Sequence, residues 1–218
     1  MNEVFIMVRK ISVQVREDLL QKDLEKYRQR AIELGSTDAR VITTEDVIID
    51  ERVVAKCAYP KCSAYGTNAN CPPYAMEIDQ LRKIVDKFRY GIFINLRVPS
   101  QDIAGEKSTK EKRRPYQKKL VEIVSKIETE AFNDGYHLAL GFGTGSCKSI
   151  FCPETDCVAL IPGKQCAHVY KARSSMEAVG MDAFTMATKV GWEIYPVGRS
   201  TSPEDVPYGS LLGLVLIY

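Results

Sequence analysis

The sequence predicts an α/β fold made of two duplicated α/β half-units, residues 1–104 and 105–218, which share a compact core and carry one cysteine loop each. Three observations predict it. Amphipathic helical segments alternate with short β-branched segments along the chain. The spacing C-x4-C-x8-C occurs twice, as CAYPKCSAYGTNANC from Cys57 to Cys71 and as CPETDCVALIPGKQC from Cys152 to Cys166, 95 positions apart. The order helix, strand, cysteine loop, helix, strand runs through twice, and the same offset carries the first helix to within a few residues of the third.

The elements justify themselves in order. Residues 11–15 alternate and are β-branched, the pattern of a strand. Residues 17–34 place Leu20, Leu24, Tyr27, Ala31 and Leu34 on one helical face, and Gly35 supplies a stop. Residues 41–54, rich in Val, Ile and Thr, read as one strand or a hairpin. The first cysteine loop follows, thick with Pro, Gly and Asn. Leu81, Ile84, Val85 and Phe88 mark a second amphipathic helix, and residues 92–98 a strand. A polar stretch spans 99–114. A third helix then buries Leu120, Ile123, Val124, Ile127 and Ala131, and residues 136–140 make a strand before the second cysteine loop. Ser174 with Glu177 three positions on is a capping-box start. Asp182 caps another helix that ends at Gly191, and residues 192–195 and 211–218 read as closing strands.

Bulk composition excludes several functions. The chain has 218 residues, 45% hydrophobic and 27% charged, which specifies a folded globule. Its 30 basic and 28 acidic residues leave a net charge of +2, so nothing selects a nucleic acid or a membrane surface. The apolar run at 4–8 is too short for a signal-peptide core, and the run at 211–218 is too short to cross a bilayer. The expectation is a cytoplasmic protein. In such a reducing compartment seven cysteines, an odd number, point to metal or catalysis rather than a disulfide framework.

Thiolates are soft ligands for zinc, copper(I) and iron–sulfur clusters. Structural zinc usually sits on tight C-x2-C knuckles, and neither loop has one. Cysteines spread over 15 residues suit a bulkier object such as a [4Fe-4S] cluster, although neither spacing is that of the common ferredoxin runs. Cys147 extends the second set to four, Cys147, Cys152, Cys157 and Cys166, enough to close a cluster for electron transfer. Cys57, Cys62 and Cys71 are three, and leave a position open for water, substrate or a non-cysteine ligand, as Lewis-acid catalysis requires. Cys147 crossing to the first cluster is the other assignment. All seven are therefore candidate ligands, for one cluster or two. Zinc is the alternative cofactor, in a metal-stapled binding module or a metal or redox sensor. A redox protein, a small-molecule substrate of sulfur or hydroxyl chemistry, or a second copy of the chain are the partners these readings call for.

The remaining motifs are weaker. GFGTGSC at 141–147 reads either as a phosphate loop or as glycines that bring backbone donors close to cluster sulfurs. Pro72 and Pro73 stiffen the exit of the first loop. His168 stands two residues after Cys166 as a ligand or a polar loop residue, and His137 falls in a predicted strand. Tyr59, Tyr65 and Tyr74 crowd the first loop as shields. The charged run at 106–119 reads as a solvated segment feeding a helix, with Arg113-Arg114 as the docking candidate of a sensor. Glu177 and Asp182 read as caps before catalysts.

VVAKCAYPKCSAYGTNANCPPY, with Cys57, Pro60, Cys62, Tyr65, Gly66 and Cys71-Pro72-Pro73, resembles the first signature of the predicted metal-binding proteins of archaea and anaerobic bacteria, domain-of-unknown-function family twenty-two eighty-four. The second signature of that family is matched by the glycine-rich segment ending at Cys147, by Cys152, Cys157 and Cys166, and by SSMEAVGMD at 174–182. Gly145-Ser146 stands where the family pattern has Gly-Pro. The resemblance implies metal or iron–sulfur binding at these cysteines and no settled reaction.

Overall fold

The computed structural model describes residues 8–218; most of the apolar run at 4–8 lies outside them. Four strands form one antiparallel sheet: β1 Asp38–Thr43, β2 Tyr90–Pro99, β3 Leu140–Phe142 and β4 Tyr208–Leu216, in the order β1-β2-β4-β3. The two central strands are nearly continuous apolar runs because both of their faces are covered. On β2, Ile92, Ile94, Leu96 and Val98 enter one core while Phe93 enters the other. On β4, Leu211 and Val215 join the first core, and Leu212, Leu214 and Leu216 the second.

Helices supply the two outer layers. Helix α1, Glu17–Glu33, buries Leu20, Leu24, Tyr27 and Ala31, a stripe at helical spacing. It lies on the first face with a long helix over Lys110–Asn133, which buries Leu120, Ile123, Val124, Ile127 and Ala131. Each such aliphatic side chain is worth roughly 1.5–3 kcal/mol of burial. The second face is covered by the short helix Ile78–Val85, a 3-10 turn at Glu177–Val179 and the helix Ala183–Lys189. Three more short helices, Glu51–Ala58, Ser100–Ile103 and Cys147–Phe151, sit at the ends of strands or in the cysteine segments. In chain order the helices are thus α1, α2 (Glu51–Ala58), α3 (Ile78–Val85), α4 (Ser100–Ile103), α5 (Lys110–Asn133), α6 (Cys147–Phe151) and α7 (Ala183–Lys189). None of the described helices is long and apolar enough to cross a membrane.

The glycine string has a packing role. A Cβ on Gly141 would lie 2.7 Å from Val124 Cγ1, and one on Gly143 2.8 Å from Val121 Cγ2. The N–H of Gly143 donates to Ser174 O at 2.8 Å and its carbonyl accepts from Met176 at 3.1 Å. These glycines let α5 settle onto the sheet, and the backbone of Gly143 is spent on tying in the 174–176 segment.

Several expectations are corrected. Residues 11–15 form no strand, and Ile11 and Val13 are exposed. Their alternation has no neighbouring strand to pair with. Only the start of 41–54 is a strand. Asp50 then caps α2 by accepting from the N–H of Arg52 at 2.8 Å, so the β-branched Val53 and Val54 sit in a helix. The charged run is not a loop: Thr109 caps α5, which begins at Lys110 and contains Pro115. The strand expected at 136–140 shifts to 140–142, and His137 lies exposed in a turn. Residues 192–195 are irregular. Trp192 packs on Phe93 with ring centroids 4.9 Å apart and donates to Asp38 at 2.8 Å, contacts that need no strand. Ser175, not Ser174, accepts from the N–H of Ala178 at 3.1 Å. Asp182 does cap α7, accepting from Thr185 N at 3.0 Å.

Candidate metal centre

The first cysteine group grows from the end of α2. Cys57 occupies its last turn and is half-buried. Backbone turns then fold the chain back on itself: Cys62 N to Cys57 O at 2.9 Å, Tyr65 N to Cys62 O at 3.0 Å, and Gly66 N to Pro72 O at 2.8 Å. Gly66 has φ of +73°, a conformation that favours glycine. Cys62 ends exposed and Cys71 buried. Tyr59 and Tyr74 are also exposed, so they do not shield the group; Tyr65 is half-buried. On the flank of α2 a cleft of about 460 Å³ is lined by Val54, Ala58, Tyr65, Pro72 and Ala178.

The second group is folded around α6. Cys147 is its first residue and Cys152 follows its last. The Lys148 ammonium donates to Cys152 O at 3.3 Å and to Thr155 O at 2.6 Å, which holds the segment between the second and third cysteines. His168 stacks on Phe151 with centroids 5.3 Å apart, and its backbone N–H donates to Cys166 Sγ at 3.4 Å. Cys147, Cys152, Cys157 and Cys166 all line one cavity, together with Asn68 and His168. All seven thiols are free.

The two groups meet at asparagines that sequence reasoning missed. Asn68 is fully buried. Its carbonyl accepts from Cys147 Sγ at 3.3 Å and its amide donates to Ser146 Oγ at 3.3 Å. The Asn68 and Ser146 side chains also act on Cys71, opposing the rise that burial gives its thiol. The Asn70 amide donates to Cys147 Sγ at 3.4 Å, and its carbonyl accepts from Ser174 Oγ at 3.1 Å. Cys71 of the first group and Cys147 of the second therefore share one polar bridge. The first turn of α5 touches the same region: Lys110 Nζ donates to Ser63 Oγ at 3.2 Å, and Arg114 lines a groove with Thr67, Ser146 and Ser149.

The electrostatics are one-sided. Burial pushes the Cys57, Cys71 and Cys152 thiols up from their ordinary value, and neighbouring thiols add to it. Burial pushes Cys147 up to about 11, against the opposing bond from Asn70. The carboxyl of Glu177 acts in the same sense on Cys57 and Cys71, and burial pushes that carboxyl up as well. Thiols held up in this way bind their protons more tightly, and a metal that binds them displaces those protons. Soft thiols that are crowded, desolvated and linked by neutral amide donors fit a metal-bearing group. Among the described residues, however, no three His, Cys, Asp or Glu side chains converge closely enough to hold a single metal ion.

No curated protein and no solved structure matches the chain. Residues 40–217, a span that includes all seven of these cysteines, match the model of a family described as predicted metal-binding protein (DUF2284), and the chain belongs to that family.

Proposed function

We propose that the protein is an iron–sulfur protein with two sites: a closed one on Cys147, Cys152, Cys157 and Cys166, and an open one on Cys57, Cys62 and Cys71. The observation that carries this reading is the cavity of the second group. Four thiols line it together, the number that closes a [4Fe-4S] cluster. A [4Fe-4S] cluster at the closed site supplies one-electron transfer, and at the open site a Lewis-acidic iron. The protein's own contributions are visible in the donors it aims at sulfur: the Asn70 amide on Cys147 and the His168 N–H on Cys166. Such donors stabilise negative charge on sulfur and so raise a reduction potential.

The exposure of Cys62 gives the open site its access from solvent. A small-molecule substrate undergoing non-redox sulfur or hydroxyl chemistry fits there, and a redox protein is the electron partner of the closed site. Seven free thiols accord with a reducing compartment such as the cytoplasm. Duplication of two half-units, 1–104 and 105–218, also draws support. The strand order reads outward as β2-β1 and as β4-β3 from the centre, and the 95-residue offset of the cysteines carries α2 onto α6.

Protein purified without oxygen is expected to hold about eight irons with equal acid-labile sulfide. Cys62→Ser is expected to remove about half of that iron. Zinc without sulfide, or iron unchanged in Cys62→Ser, would overturn the two-site reading. Cys147→Ser tests the assignment of that thiol, which bonds Asn68 and Asn70 of the first cysteine segment: it depletes the cluster that survives Cys62→Ser if it belongs to the second site.

A further inference from the structure

We infer that Glu177 supplies the fourth ligand of the three-cysteine site, its carboxylate oxygen holding the position that Cys57, Cys62 and Cys71 leave free. The inference rests on the reading of that site as a cluster site. Its ground is the way the 3-10 turn Glu177–Val179 is fastened. The turn packs directly on α2, the helix that ends in Cys57. Asp50 N donates to Gly180 O at 2.9 Å and Asp182 N donates to Ile48 O at 2.8 Å, which rivets the far end of the turn to the start of that helix. Gly180 adopts φ of +96° with Ile78 Cγ1 only 2.9 Å from where a Cβ would sit, so the turn cannot be rebuilt there without strain. At the near end Ser174 Oγ donates to Asn70, inside the first cysteine segment. Both ends of the span 174–182 are thus tied to the parts of the chain that carry the three cysteines.

The side chain placed there is chemically out of keeping with its surroundings. It is a half-buried carboxyl whose charge reaches Cys57 and Cys71. Among the described residues no Lys, Arg or His forms an ion pair with it. A desolvated carboxyl beside desolvated thiols, with no cation facing any of them, costs free energy unless a cation is brought in. The second group needs no such residue, because Cys147 already makes four thiols. An oxygen ligand in place of a fourth thiolate is harder and less firmly held by iron, which suits a position where a substrate oxygen or sulfur must enter.

The test compares wild type, Glu177→Ala, Glu177→Gln and Glu177→Cys, each reconstituted with iron and sulfide without oxygen and checked for fold by circular dichroism. Glu177→Gln is isosteric and keeps the test alive where the truncation fails to fold. The readouts are Mössbauer spectra and the rate at which one iron is lost under mild ferricyanide oxidation, followed by the EPR signal of a three-iron cluster. Glu177→Ala and Glu177→Gln are expected to lose that iron about tenfold faster than wild type. They should also show a changed unique-iron site, and Glu177→Cys should hold the iron more firmly than either. Identical spectra and loss rates in wild type and both neutral variants would overturn the assignment. Were Cys62→Ser to leave the iron count unchanged, the failure would instead lie with the first site itself, and Glu177 would fall with it.

Discussion

Two buried polar clusters can be compared within this one chain. The first lies where α1 meets the end of α5. Asp23, 3% exposed, receives both arms of the Arg9 guanidinium and the hydroxyl of Tyr136 at 2.8 Å. Beside it Asp134 accepts from Tyr27 at 2.6 Å and pairs with Lys26. Every acidic group there has a cation of the protein's own. The second cluster is the part of the cysteine region around Cys57, Cys71, Cys147 and Glu177, where thiols and a carboxyl are gathered with amide and hydroxyl donors and no cation acts on any of the four. The chain can close a buried charge cluster by itself, as at Asp23. That it does not do so around Cys57, Cys71 and Glu177 marks this region as one completed from outside.

The sharpest way to break this comparison is to withhold the metal. Protein prepared without iron and zinc is expected to exchange amide hydrogens in segments 57–71 and 147–166 on the order of a hundredfold faster than loaded protein. Amides of α1 and α5 should be little changed. Equal protection of both cysteine segments with and without metal would mean that the thiol cluster is self-sufficient, and the contrast would collapse. The converse perturbation comes next. Asp23→Asn leaves the Arg9 guanidinium facing a neutral group and is expected to cost about 3 kcal/mol in urea unfolding. Iron content should stay at the wild-type value, because the two clusters complete themselves separately.

The two regions also differed in how far they could be read from the residues. Helices α1 and α5 were legible because their apolar stripes repeat at helical spacing over many turns, and β2 and β4 because they are long apolar runs. Asp23 went unread, although it stands on the buried stripe between Leu20, Leu24 and Tyr27, where a carboxylate requires a partner. Its partners Arg9 and Tyr136 stand 14 and 113 positions away, outside any helical repeat, and carry no local signal. The seven cysteines were legible by type and spacing, but not which of them meet. Residues 11–15 and 53–54 misled because β-branching is a local preference, and the absence of a pairing strand or the presence of the Asp50 cap overrides it. Asn68 and Asn70 looked like ordinary turn residues, and Glu177 like a cap. Their roles depend on contacts across 75 or more positions, as between Asn68 and Ser146, that no periodicity encodes.

A smaller effect sharpens the claim that the two cysteine groups adjoin. Asn68→Ala removes the buried amide that bonds Cys147 and Ser146 and lies close enough to act on the Cys71 thiol, and is expected to cost about 1–2 kcal/mol. Its more telling consequence is spectroscopic. Both clusters are expected to shift in reduction potential, because one side chain serves a sulfur in each group. A shift confined to one cluster would separate the groups and assign Asn68 to that one alone.

The smallest effect tests the self-contained cluster by its pH dependence. Burial by itself would push the Asp23 carboxyl up, but the bonds from Arg9 and Tyr136 outweigh it and hold the carboxyl below its ordinary value. A carboxylate whose folded value is lowered contributes stability that is present above the ordinary carboxylate range and is lost as pH falls through the folded value. Tyr136→Phe removes one of the two hydrogen-bonding partners that favour the ionised form. It is expected to cost about 1 kcal/mol near neutrality. That difference should shrink toward zero in acid, where Asp23 is protonated in both proteins and the phenol has no charge to stabilise. Urea midpoints of wild type and Tyr136→Phe between about pH 2 and pH 6 measure this directly. A gap that stays constant across that range would mean the hydroxyl serves packing rather than the charge, and the Asp23 carboxylate would then rest on the cations Arg9 and Lys26.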